Sequence, residues 1–195
     1  MKKQHVGISC LVMSGALLSW ATAADLPGLR AAQELALRVI EETRELMQVE
    51  VRVRGPAGAL QQCSKIALGL AKQHEEEGWR VRRVSVKYRN PADAPDEYEA
   101  RVLDEFAALK AKGELQVDTE HAEVVTEEGR RYLRYMKPIV LGSPVCLSCH
   151  GGPDEISPEI KPELQRLYPQ DKATGYRVAD LRGAVSVKIP VGVEQ

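Results

Sequence analysis

Apolar residues recur at helical spacing early in the chain. Leu29, Ala32, Leu35, Ala36, Val39, Ile40, Leu46, Met47 and Val53 fall near one stripe, which predicts a helix over 28–53. Gly55-Pro56 interrupts it. A second helix fits 57–74, with Leu60, Cys63, Ala67, Leu70 and Ala71 on its apolar face, so Cys63 is expected to point inward. Residues 79–88 read as a strand with a phase slip near Arg82-Arg83, which implies a bulge or a start at Arg83. A charged amphipathic helix over 96–111 carries Tyr98, Val102, Leu103, Phe106 and Leu109. Two strands, 120–126 and 131–140, flank a turn at Glu127-Glu128-Gly129. A short helix follows, and Val185, Val187, Ile189 and Val191 then alternate as a half-buried strand. The order predicts an α+β fold, with a small antiparallel sheet and helices packed on it.

The 195 residues suit one domain. Lys and Arg number 27 against 28 Asp and Glu, which gives no case for nucleic acid or an anionic membrane as partner. The composition excludes collagen-like and disordered acidic chains. With one Phe, two Trp and six Tyr, something besides aromatic side chains is expected to help fill the core.

Residues 1–23 have the form of a secretory signal peptide: Lys2 and Lys3, an uncharged apolar stretch from Val6 to Ala21, and Ala21-Thr22-Ala23 as cleavage site. A membrane anchor is the competing reading, but the stretch is short for a span. Cys10 follows a poor lipobox. The expectation is therefore a periplasmic or secreted protein of one domain, 24–195, helical over about 28–74, with no membrane span in the mature chain. That chain keeps Cys63, Cys146 and Cys149, an odd number for an oxidising compartment.

Cys146-Leu147-Ser148-Cys149-His150 is C-x-x-C-H, the attachment sequence for one covalent haem c. Two thiols add to the two vinyl groups, and the adjacent His reaches the iron. A redox dithiol would want its first Cys at a helix N-terminus, and Gly151-Gly152-Pro153 argues against a helix running through the motif. A zinc site would need a distant ligand. A plain disulfide is the remaining alternative. The glycines place the motif in a loop. Between Gly151 and Gln195 there is no His, Met or Cys, so a conventional sixth ligand lies upstream or is absent. The candidates are Met47, Cys63, His74, His121 and Met136. His74 and His121 also read as solvated residues, and Met47 and Met136 as core filler. Cys63 is the odd thiol, and it reads either as a ligand or as an inert core residue.

Several blocks carry a family resemblance: Arg83-Val84-Ser85-Val86-Lys87-Tyr88-Arg89-Asn90-Pro91, Ala94-Pro95-Asp96-Glu97-Tyr98-Glu99, Pro138-Ile139 and the C-x-x-C-H-Gly run. Tyr168-Pro169-Gln170-Asp171-Lys172-Ala173-Thr174-Gly175-Tyr176 and Asp180-Leu181-Arg182-Gly183-Ala184-Val185-Ser186-Val187 complete it. Together they resemble secreted single-haem c-type proteins with a PAS-like sensor fold. The resemblance implies a PAS-like antiparallel sheet of about five strands and unusual His/Cys ligation by His150 and Cys63.

A thiolate ligand would favour ferric iron and a low reduction potential. Two functions follow: one-electron transfer with a redox partner protein, or a redox or gas sensor module that signals through a partner. A peroxidase-like enzyme is a third reading, and it would need a distal acid–base group. Arg182, Lys172, Arg89 and Tyr176 are candidate partners of the haem propionates. The first helix offers a surface for a homodimer, or simply packs on its own sheet.

Overall fold

Four strands form one antiparallel sheet in the order β1-β4-β3-β2. They are β1 (Arg80–Val84), β2 (His121–Glu127), β3 (Arg130–Val140) and β4 (Leu181–Pro190). The helices are α1 (Leu29–Gln73), α2 (Glu97–Lys112), α3 (Leu147–His150) and α4 (Ile160–Leu167). This computed structural model describes residues 26–73 and 78–192, without the side chains of 63–68, 70, 71 and 73. The signal-peptide segment 1–23 and His74 lie outside the described residues. Among the described residues, no helix is long and apolar enough to cross a membrane.

The sheet is covered on both faces. On one, Val81, Leu133, Tyr135, Val185, Val187 and Ile189 pack against Leu29, Ala32, Leu35, Ala36 and Val39 of α1. On the other, Val84, Met136 and Ala184 meet Val102, Leu103 and Phe106 of α2. This double cover corrects two expectations. The phase slip in β1 is neither a bulge nor a late start, because β1 pairs with β4 in unbroken register and buries Val81 on one face and Val84 on the other. Likewise β4 is buried through Arg182–Val187 rather than half-buried, because α2 covers its second face.

Local chemistry sets the element ends. Asp96 and Glu99 form a reciprocal capping box at the start of α2, and Gly113, in the left-handed region, ends it. Glu128 (φ 52°) and Gly129 (φ 77°) make the two-residue hairpin between β2 and β3. The expected strand 79–88 stops at Val84, where Ser85 N turns to donate to Asp93 O and Ser85 Oγ donates to Arg182 O. Among the described residues the sheet has four strands where the family resemblance implied about five, and the residue pattern itself contained four.

α1 breaks at Gly55, whose φ of 69° and ψ of 171° are not helical, so the expected two helices are two segments around a kink. Its apolar stripe packs on the sheet as far as Val39 and Ile40. From there to the kink the helix leaves the core: Leu46 is 42% exposed and Val53 71%. After the kink, Leu60 packs on Ile156, Ile160 and Leu164, which joins α1 to α4.

One irregularity in β4 bears on the site. Ile139 faces Gly183 while Val140 faces Leu181, so Arg182 is the extra residue of a β-bulge. A Cβ on Gly183 would lie 2.2 Å from Val84 O, so only glycine lets β1 approach here. Replacing Gly183 by Ala should therefore destabilise the fold by about 1–3 kcal/mol. Denaturant unfolding checks this, and an unchanged stability would contradict it.

Candidate functional site

The C-x-x-C-H segment opens on a 3-10 turn, Pro144–Cys146, capped by Ser143, whose side chain accepts from Val145 N. α3 continues it for a single turn, closed by Gly151 N donating to Leu147 O at 2.8 Å. The motif is thus helical, not the expected loop. The glycines follow the turn and end it instead of preventing it. Cys146 and Cys149, three residues apart on this turn, are half-buried and neither forms a disulfide.

A second segment holds the turn from outside. Gly175 N donates to Gly151 O at 2.7 Å, and Tyr176 N donates to His150 O at 2.9 Å. His150 Nδ1 lies 2.7 Å from Ala173 O. A carbonyl only accepts, so Nδ1 carries the proton and the Nε2 lone pair is left for another partner. Burial holds this imidazole neutral, well below the ordinary histidine range, and the guanidinium charges of Arg89 and Arg182 push the same way. A neutral ring tied through Nδ1–H to a carbonyl is the form in which histidine ligates metals. Tyr176 stands edge-on to it, with ring centroids 6.2 Å apart.

Arg89 binds these pieces together. Its Nε donates to Asp171 Oδ2 at 3.1 Å, and its Nη2 donates to Cys149 O at 2.5 Å and Ala173 O at 3.3 Å. Asp171 Oδ1 accepts from Ala173 N at 2.7 Å. The pair is buried, with side-chain exposures of 6% and 10%.

Cys146, Cys149 and His150 border one cavity of about 430 Å³. α1 supplies another wall through Ile40, Thr43, Arg44, Met47, Gln48 and Val51, a set at helical spacing. Leu60 from beyond the kink and Ile139 to Leu141 at the end of β3 add apolar surface. Arg83, Arg89 and the bulge residue Arg182 bring three guanidinium groups to the wall. Among the described residues, buried polar atoms here lack partners, including Arg83 Nε, Arg89 Nη1 and Thr43 Oγ1. Unpaired buried donors are costly, so this wall is built for an anionic or accepting group. The volume is that of a small-molecule site. Two thiols, one neutral imidazole, apolar walls and spare cationic donors suit an apolar group that carries carboxylates.

The sequence profile of the Tll0287-like family matches residues 27–190, from just before α1 to the end of β4. The chain belongs to that family. It is also similar to the crystal structure of the cyanobacterial heme-protein Tll0287, with 26% identity, a TM-score of 0.61, 90% of this chain covered and 100% of that one. No curated protein matches this sequence.

Within this Tll0287-like fold the sequence candidates separate. Cys146, Cys149, His150, Met47, Arg89 and Arg182 border the cavity. Met136 is fully buried in the α2-side core, and His121 sits by Glu105 and Glu123. Neither borders the cavity. Cys63 is on α1, but its side chain lies outside the described ones. Tyr176 packs on His150 without bordering the cavity, and Lys172 lies over Tyr88. Arg83, Thr43, Arg44 and Gln48 were not among the candidates. The polar positions interleaved with Ile40 and Met47 were the available signal for the α1 residues. For Arg83 it was the parity change in β1.

Replacing Arg89 by Ala would strand Asp171 as a buried lone carboxylate. Breaking such a pair costs about 3–5 kcal/mol. Denaturant unfolding of the variant measures it, and a loss below about 1 kcal/mol, as for a surface ion pair, would contradict this placement.

Proposed function

We propose that this chain is an exported c-type haem protein that works in one-electron transfer. The observation that carries the reading is the meeting of Cys146, Cys149 and His150 on the wall of one largely apolar cavity. The similarity to a structure described as a heme-protein supports it. When bound, the haem would supply a single-electron iron couple.

In this reading Cys146 and Cys149 would hold the group by thioethers, and His150 would ligate the iron. The second ligand would be Cys63, which lies three residues after the cavity-lining Leu60 on the same helix. Met47 is the competing donor on the cavity wall. Arg83 and Arg89, with spare buried donors, and Arg182 are suited to the propionate carboxylates. The PAS-like fold and the export route belong to the same proposal, as does a redox partner protein.

A sensor reading has one observation in its favour. α1 runs from the sheet core at Val39 to the cavity wall at Met47 and breaks at Gly55. A change of iron ligand on the α1 side would act on an element already packed against the sheet, and a partner would have to read it. Carbon monoxide or reduction displacing the α1 ligand supports sensing. A haem that stays six-coordinate and exchanges electrons quickly with a soluble cytochrome supports transfer.

Two variants test the assignments. Cys63→Ala should abolish a low-spin thiolate signature in the absorption and electron paramagnetic resonance spectra of the ferric protein. An unchanged spectrum, or a Met-to-iron charge-transfer band in the unaltered protein, would contradict Cys63. Replacing both Cys146 and Cys149 by Ser should make the haem extractable with acidified organic solvent. Haem that resists extraction would contradict the thioether assignment.

A further inference from the structure

The contacts behind His150 form a closed circuit. Asp171 holds Arg89 with one carboxylate oxygen and Ala173 N with the other. Arg89 Nη2 reaches the carbonyls of Cys149 and Ala173. Ala173 O is also the acceptor for His150 Nδ1–H. One carbonyl oxygen therefore serves two donors, a cation at 3.3 Å and the imidazole at 2.7 Å.

An axial imidazole donates more strongly as its Nδ1–H is drawn toward an acceptor, because the ring gains imidazolate character. A guanidinium on the same oxygen withdraws electron density from that acceptor and so restrains the effect. We propose that Arg89 is a positioning residue that sets the donor strength of His150 through the Ala173 carbonyl they share. This rests on the haem reading above and adds a control on the potential of that site. Lysine is not equivalent to arginine here. An ammonium is a point charge and cannot satisfy Asp171 and two carbonyls in a fixed fork.

The test uses the full haem-loaded protein with Arg89→Lys and Arg89→Gln, after unfolding curves confirm that each variant is folded. Both should lower the reduction potential and move the His150 Nδ1–H resonance downfield, in the reduced low-spin state of 15N-histidine-labelled protein. Arg89→Lys keeps a positive charge beside Asp171. A potential and resonance unchanged in Arg89→Lys, with a shift only in Arg89→Gln, would assign the effect to charge alone and overturn the proposal. Absence of any haem absorption would instead sink the underlying reading. The Nδ1–H resonance of the haem-free protein still tests the shared carbonyl, and its failure to move in either variant overturns the proposal. If Arg89→Gln does not fold, Arg89→Lys alone decides.

Discussion

A single buried guanidinium holds the site together. Arg89 comes from the turn after β1, Cys149 from the C-x-x-C-H turn and Asp171 and Ala173 from the segment before β4. These stretches are far apart in sequence and share no regular element. Arginine alone presents enough donors, in a rigid plane, to engage a carboxylate and two carbonyls at once. Asp171 offsets the cost of burying that charge. The result is a rigid backing for His150, joined by the backbone bonds from Gly175 N to Gly151 O and from Tyr176 N to His150 O. In the proposed haem site this rigidity would matter, since a metal-binding histidine needs a fixed ring orientation and a fixed tautomer.

α1 does two jobs along its length. Its first turns seal one face of the sheet through Ala32, Ala36 and Val39. Further on, the same helical face leaves the sheet and becomes cavity wall. The small, apolar side chains of the first part give way to a mixed set, Thr43, Arg44, Met47 and Gln48, that has no sheet to pack on. The low aromatic content fits this division. The sheet cores are filled by aliphatic residues with Tyr135 and Phe106, and the remaining space is a cavity suited to an apolar group.

Much of this was legible in the residue pattern. Periodicity indicated α1, α2 and the four strands because apolar residues recur there at helical spacing or alternate along the chain. The C-x-x-C-H run picked out three residues that border the cavity, because its spacing is local. What the pattern misjudged were positions settled by long-range packing. Val81 and Val84 look out of phase until α1 and α2 are both placed on the sheet. Leu46 and Val53 look like core until α1 runs past it. Gly151-Gly152 suggested a loop, but one helical turn needs only the residues before them. Arg83 escaped notice because the parity change in β1 reads locally as a bulge and does not show which strand residue borders a cavity.

The proposed function requires one covalent haem at the cavity between α1 and α3. Intact-mass spectrometry tests it most directly, on protein purified from a host that attaches haem to exported proteins and then fully denatured. The account predicts the polypeptide mass, with any leader removed, increased by one haem. The bare polypeptide mass, from protein that carried haem before denaturation, would contradict it.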